Sequence, residues 1–197
     1  MNIRERKRSL RELMLQARQN MDPEDIARED AALVAHATAH LRSLTPSQTT
    51  VAAYAPMPGE PGGSMLLDAL HAEASDLFLP ISGVDGRLEW ATYQGRLSMQ
   101  PGRLGIHEPT GPRLSGGTLA DCDLVFVPAL AVNPEGYRLG KGGGYYDRAL
   151  APLAASEDRP RTAVLLYNGE ICDDVPVEPH DVAVDLVITP NGIRHLS

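Results

Sequence analysis

The chain predicts a three-layer α/β fold, with a mostly parallel central sheet flanked by helices in a Rossmann-like arrangement. Three observations carry this. Apolar segments of strand length alternate with amphipathic segments of helix length along the chain. Some of the strand segments, such as residues 124–127 (LVFV), are unbroken apolar runs, as expected of strands buried on both faces. A glycine-rich run follows that strand and precedes a helix, which is where sheets of this class hold ligands. No shift in composition divides the 197 residues, so 1–197 reads as a single domain.

The elements follow in order. Residues 3–20 have helical periodicity, with Ile3, Leu10, Leu13, Met14 and Ala17 near one face and Lys7 and Arg11 on another. Asp22, Pro23, Glu24 and Asp25 start a second helix: a capping carboxylate, a proline in the first turn and two acids at the positive end of the dipole. It runs to about Leu44 and is ended by Thr45-Pro46. Residues 51–55 form a short strand, leading into a Pro/Gly-rich loop at 56–63. Ser64 is expected to cap a helix over 65–74. Residues 77–79 form a strand stopped by Pro80, and the alternation over 87–93 predicts another. Residues 94–118, rich in Gly and Pro, read as loop. The strand at 124–127, a helix at 143–155, and strands at 163–167 and 186–188 complete the pattern.

Composition excludes several classes. Hydrophobic residues make up 43% of the chain, enough for a sizeable core. The formal net charge of -8 opposes whole-surface attraction to nucleic acid or acidic lipid. Two cysteines, Cys122 and Cys172, make no disulfide framework. There is no signal-peptide pattern and no apolar run long enough to span a bilayer, so a cytoplasmic setting away from membranes is expected.

The chemistry concentrates in residues 138–148 (RLGKGGGYYDR). Gly140, Gly142, Gly143 and Gly144 surround Lys141, and glycines let backbone N–H groups approach a ligand closely. A helix starting just after the loop adds its unbonded N–H groups, and Arg138 and Lys141 add full charges. A polyphosphate is the natural guest. The run from Gly136 to Lys141 is one residue short of a Walker A loop, and Gly142 stands where its hydroxyl residue would be. Tyr145 takes the place of the last glycine of a dinucleotide fingerprint. Asp147 lies in the first helical turn, and Tyr146, Leu150 and Leu153 are spaced to face the core, turning Tyr145 towards the ligand. Further clusters are Glu178-Pro179-His180-Asp181, Lys7 with Arg11, and Tyr54 with Glu60 around the loop after the first strand. No nucleophile elbow, zincin helix or zinc-spaced His/Cys set is present.

These pieces together resemble the 5-formyltetrahydrofolate cyclo-ligase family, also called methenyltetrahydrofolate synthetases. Residues 123–150 (DLVFVPALAVNPEGYRLGKGGGYYDRAL) are similar to its signature. Other matches lie in order: Lys7 to Arg11, Tyr54 to Glu60, Leu79-Pro80, Gly105 to Pro109, His180-Asp181, and Val187 to Thr189. The chain departs from the pattern at Ala129, where Gly is usual, and at Ala131-Val132-Asn133 in place of Ala-Phe-Asp. The resemblance implies ATP and Mg²⁺ as cofactors and a reduced folate, in some forms polyglutamylated, as the small-molecule partner of a monomeric enzyme. It implies that Lys7, Arg11, Arg138, Leu139, Gly140, Lys141, Gly142, Gly143, Gly144, Tyr145 and Tyr146 contact ATP. Tyr54, Glu60, Lys141 and Tyr145 would contact the folate, and Asp147 and Asp181 would hold Mg²⁺. Lys141 and Arg138 would balance charge on the transferring phosphoryl group. Two other functions fit such a scaffold: a nucleotide- or folate-binding regulator that has lost catalysis, motivated by Val132 and Asn133, and a sugar-phosphate isomerase or acyl-CoA transferase.

Overall fold

The structure is a computed structural model and describes residues 2–44, 49–114, 119–154, 156 and 158–196. Its elements are α1 (Ile3–Gln19), α2 (Pro23–Ser43), β1 (Thr50–Ala52), α3 (Leu66–Glu73), β2 (Asp76–Ser82), β3 (Leu88–Thr92), β4 (Met99–Pro101), β5 (His107–Pro109), β6 (Leu124–Phe126), β7 (Ala131–Val132), β8 (Arg138–Leu139), α4 (Tyr145–Leu150), β9 (Arg161–Leu165), β10 (Leu186–Thr189) and β11 (Gly192–His195). The main sheet has the order β11-β10-β9-β6-β1-β2-β3. Its five central strands run parallel, and β3 and β11 pair antiparallel at the two edges. Counting only the parallel strands, the order is 2-1-3-4-5, so the winding reverses between β1 and β6.

Alternation along each strand builds the layers. Val51, Leu124, Phe126, Ala163, Leu165, Leu186 and Ile188 meet Leu33, Ala37 and Leu41 of α2 and Leu66 and Leu70 of α3 on one face. Their neighbours Ala52, Val125, Val164 and Val187 meet Leu150 of α4, Trp90, Leu119 and Cys122 on the other. Both faces of the parallel strands are thus covered, which is why they read as unbroken apolar runs.

Several expectations change. The inward stripe of α1 is not its apolar one: Lys7 and Arg18 are buried, Arg11, Leu10 and Met14 half-buried, while Leu13 is 59% exposed and Ala17 exposed. Positions 7, 11, 14 and 18 share a helix face, so Lys7 and Arg11 point inward with Met14. Asn2 caps this helix in a reciprocal box with Glu5. Asp22 caps α2 by accepting from the Glu24 N–H at 2.8 Å. The expected stop at Thr45-Pro46 lies outside the described residues. Ser64 does not cap α3; it sits inside a 3₁₀ turn, Gly63–Met65, that leads into the helix. Pro80 does not stop β2. The Phe78 carbonyl accepts from Ala53 on the β1 side, so by alternation the missing Pro80 N–H faces the same side, where β1 has already ended.

The described part of the expected loop, 94–114, is more ordered than its composition suggests, and 115–118 lie outside the described residues. β4 and β5 pair antiparallel, and buried Glu108 accepts from the Ser82 N–H at 2.9 Å, fastening the ladder to the end of β2. α4 is shorter than the expected 143–155 because Pro152 has no donor to continue it, and Ala155 lies outside the described residues. The hairpin β7–β8 and the edge strand β11 were not expected; β7 and β8 are two residues each, too short for a periodic signal. No helix among the described residues is long and apolar enough to cross a membrane.

One clamp closes the start of β10. Asp185 accepts from both Arg159 terminal nitrogens (2.6 and 2.8 Å), from the Thr162 N–H (2.7 Å) and from the Thr162 hydroxyl (2.9 Å). Burial raises the Asp185 carboxyl pKa, but the Arg159 and Thr162 donors outweigh it, and the net shift is downward. A lowered folded pKa gives stability that is present above the unfolded value, about 3.9, and is lost as pH falls through the folded one. Asp185→Asn is therefore expected to cost about 1–3 kcal/mol at neutral pH. In denaturant titrations at a series of pH values, the gap to wild type should close below about pH 4.

Candidate functional site

The connections leaving β1 and β6 pass to opposite faces of the sheet, to α3 on one and α4 on the other, which opens a crevice at the carboxyl ends of those strands. Beyond β1 the chain continues into Tyr54 and Ala55, and beyond β6 into Pro128 and Ala129; all four line a cleft of about 630 Å³. The cleft also receives every residue expected from the sequence: Lys7 and Arg11 from α1, Glu60 from the loop after β1, the run from Arg138 to Asp147, and Asp181. The β7–β8 hairpin delivers that run. Asn133 closes the hairpin, its side-chain oxygen accepting from the Tyr137 N–H at 2.8 Å, and Val132 is fully buried in the core. Neither Val132 nor Asn133 lines the cleft, whereas Ala129 does.

Within the glycine loop the demand for glycine is uneven. Gly142 (φ 97°) and Gly144 (φ 67°) lie in the left-handed region, which a side chain would strain. Gly140 and Gly143 do not. The loop is laced from outside. Arg11 Nε donates to the Gly140 carbonyl at 2.8 Å. Arg148 donates to the carbonyls of Gly143 (2.9 Å) and Gly86 (2.7 Å) while its guanidinium lies over the Tyr145 ring, 5.3 Å from its centre. Arg148 was not singled out from the sequence; helix-face periodicity does not mark a residue that works backwards onto its own loop.

The two cations of the loop differ. The Arg138 side chain is only 4% exposed and is turned to the Val182 carbonyl (2.9 Å) and to Asp147 Oδ1. The Lys141 side chain is 45% exposed; its Nζ lies 2.6 Å from Glu60 Oε1 and 3.8 Å from the Met57 sulfur. Glu60 is itself buried, and its other oxygen accepts from the Met57 N–H at 2.8 Å. The ion pair therefore joins the glycine loop to the loop after β1. Met57, at the junction, carried no signal in the sequence.

A second charged corner lies at the other side of α1. Lys7 Nζ sits 2.6 Å from Asp181 Oδ2 and 2.9 Å from Glu178 Oε2, with Asp181 also accepting from the Glu178 N–H at 2.8 Å. The hydrogen bond from Lys7 holds the Glu178 carboxyl below its usual range. His180 is exposed, and with Glu178 and Asp181 it offers ligand atoms within 4.8 Å of one another, a group able to hold a cation. Asp147 is not in that group; among the described residues only its Oδ1 is taken, by Arg138.

Besides Tyr145, Tyr54 and Tyr146 line the cleft. Tyr54 is buried and donates to the Pro61 carbonyl at 2.8 Å; burial, then the Glu60 charge, raises its phenol well above the usual range. Tyr146 is the core-facing residue that its spacing predicts, packed edge-on against Trp90 with ring centres 6.3 Å apart. Burial, reinforced by Glu60, pushes its phenol strongly up. Its buried hydroxyl has no hydrogen-bond partner among the described residues.

Fold and cleft together define an α/β protein with a charged cleft at the point where its sheet reverses winding. Comparison with known proteins narrows this. A model described as the 5-formyltetrahydrofolate cyclo-ligase family matches residues 3–190, and the chain belongs to that family as an enzyme. The 5-formyltetrahydrofolate cyclo-ligase of Mycolicibacterium smegmatis is 35% identical over 189 residues, covering 93% of each chain. The solution structure of a 5,10-methenyltetrahydrofolate synthetase from Aquifex aeolicus is 30% identical, with a TM-score of 0.72 over 96% of this chain and 92% of that one. The fold is also that of the Mycoplasma pneumoniae synthetase, at a TM-score of 0.73 and 22% identity over 93% of this chain and 98% of that one.

An orphaned buried hydroxyl costs about 1–3 kcal/mol. Tyr146→Phe is therefore expected to leave the thermal midpoint of the ligand-free chain unchanged or raised, read by circular dichroism. A midpoint lowered by several degrees would mean that the hydroxyl has a partner.

Proposed function

We propose that the chain catalyses the ATP- and Mg²⁺-dependent cyclisation of 5-formyltetrahydrofolate to 5,10-methenyltetrahydrofolate, releasing ADP and phosphate. The observation that carries this is the contact between Lys141 and Glu60. It brings the loop suited to a polyphosphate and the loop suited to a pterin edge into one cleft, so that a phosphoryl group and a folate can meet.

The chemistry follows from the substrate. The N5-formyl group is amide-like, and its oxygen is a poor leaving group. That oxygen attacks the γ-phosphorus of ATP, and ADP departs. N10 then attacks the activated formyl carbon and gives up its proton. The ring closes, and the original formyl oxygen leaves within inorganic phosphate. No protein nucleophile is needed, so the chain contributes positioning and charge. Lys141, the more exposed loop cation, is suited to the transferring phosphoryl group, and Lys7 and Arg11 to the remaining phosphates. Arg138 is turned to Asp147 and acts on the site partly by fixing that carboxylate. Glu60 accepts from pterin N–H groups, and Tyr54 packs beside it.

The residues present fit a magnesium ion. Glu178 and Asp181 supply the hard oxygen donors that Mg²⁺ prefers, and both already hold a positive charge, the Lys7 ammonium. Of the two expected ligands, Asp181 belongs to the group able to hold a cation, with Glu178 beside it, whereas Asp147 is paired with Arg138 and would have to exchange that partner for the ion. When bound, the ion would neutralise charge on the phosphates. A cytoplasmic setting is part of this reading, in keeping with a sequence whose two cysteines make no disulfide framework. Val132 and Asn133 lie away from the cleft, which argues against an inactive regulator.

Purified protein mixed with Mg-ATP and 5-formyltetrahydrofolate should produce methenyl-folate absorbance only when ATP is present. Binding without turnover would favour the regulator, and neither binding nor turnover would defeat the proposal. Lys141→Ala should lower turnover by about 10²-fold, the scale for removing one donor to a developing charge.

A further inference from the structure

Away from the cleft lining, the most heavily buried ion pair joins Arg18 to Glu170, with side chains 5% and 7% exposed. Two parallel hydrogen bonds link them, from Nε to Oε1 at 2.6 Å and from Nη2 to Oε2 at 2.9 Å. Such a pair is costly to bury, and a well-packed apolar pair would give equal or better stability. Its neighbours suggest what it does instead.

Arg18 lies on the same stripe of α1 as Lys7 and Arg11, eleven and seven residues on, or about 16 and 10 Å along the axis. Its Nη2 also donates to the Ala129 carbonyl at 2.9 Å, just before β7. The Glu170 carbonyl accepts from the Val132 N–H at 3.1 Å, within β7. One pair thus fixes α1 against the hairpin that delivers Arg138 and Lys141. The network continues. Glu170 Oε2 accepts from the Tyr167 N–H at 2.9 Å, and Arg18 stacks over the Tyr167 ring. The Tyr167 hydroxyl donates to Asp30 Oδ1 at 2.9 Å, which also accepts from the Gly62 N–H at 2.8 Å. Gly62 is two residues beyond Glu60. At Gly63 a Cβ would lie 2.4 Å from Asp30, so the loop is seated directly on that carboxylate.

We propose that Arg18, Glu170, Tyr167 and Asp30 form a positioning element that touches neither ligand and sets the two halves of the site relative to each other. Arg18 and Glu170 place the helix that carries Lys7 and Arg11 over the glycine loop. Tyr167 and Asp30 place the loop that carries Glu60. This rests on the functional assignment above, in which the first half takes nucleotide and the second takes folate.

The test uses the full chain with Glu170→Gln, which keeps shape and loses charge, and Tyr167→Phe, which keeps the ring and loses only the hydroxyl. Affinities for Mg-ADP and for 5-formyltetrahydrofolate are measured separately by calorimetry, beside steady-state kinetics and thermal midpoints. Glu170→Gln is expected to weaken nucleotide binding about tenfold. Tyr167→Phe is expected to raise the KM for folate about fivefold, with kcat within twofold and nucleotide binding unchanged. Wild-type affinity for both ligands in both variants would overturn the proposal. So would a uniform loss of both affinities matched to the unfolded fraction. Calorimetry needs no turnover, so a wild-type chain that binds but does not catalyse defeats the functional assignment while the positioning claim is still decided. A wild-type chain that binds neither ligand overturns both.

Discussion

Helix α1 is held to the rest of the molecule by charge. Leu10 and Met14 give it a modest apolar contact with the β7–β8 hairpin, while Leu13 and Leu15 face solvent. Its strong attachments are Arg18 to Glu170, Arg11 to the Gly140 carbonyl, and Lys7 to Glu178 and Asp181. Only one of these, the first, is buried on both sides and away from the cleft. The other two lie in the cleft wall, where an anionic ligand would compete for the same cations. The helix is therefore anchored at its C-terminal end and presents exchangeable charges at the other.

That arrangement sets the electrostatics of the site. Lys7 and Lys141 both rest on carboxylates, so the charges of the cleft wall are close to internally balanced. Burial makes the Lys7 pair stronger than it would be in water and costly to break unless a replacement charge arrives, while Lys141, half-exposed, is freer to leave Glu60. A polyphosphate with its cation supplies both signs at once: phosphate oxygens for the lysines and a metal ion for the acids. At the Lys7 corner either component alone would leave a buried charge without a partner. Nucleotide and metal should accordingly enter as a unit. A folate placed on Glu60 would loosen that carboxylate's hold on Lys141 at the step where the lysine is needed for the phosphoryl group.

The parts visible in the sequence were those with local causes. Unbroken apolar runs at 124–127 and 163–167 announced strands covered on both faces, and the alternation of core residues confirms that. The glycine loop with Lys141 was visible because chemistry and backbone freedom coincide in one short run. Lys7, Glu60 and Asp181 stood out as charged clusters and gained candidate roles from a family resemblance spread along the chain, and the fold brings all three to one cleft. The misses have tertiary causes. The face of α1 that turns inward was not legible: Lys7 and Arg11 were set apart from the apolar stripe, and only Glu178, Asp181 and the Gly140 carbonyl explain why their side packs inward. Pro80 continues a strand because its neighbour ends first. Partners such as Glu170, which lies 152 residues from Arg18, leave no periodic trace at either end.

The central claim is that the formyl oxygen becomes a phosphate oxygen within this cleft. It can be followed directly with 5-formyltetrahydrofolate carrying ¹⁸O in the formyl group, turned over with Mg-ATP in ordinary water. Mass analysis of the released inorganic phosphate should find one ¹⁸O for each methenyl-folate formed. Label appearing in water, with unlabelled phosphate, would contradict the account.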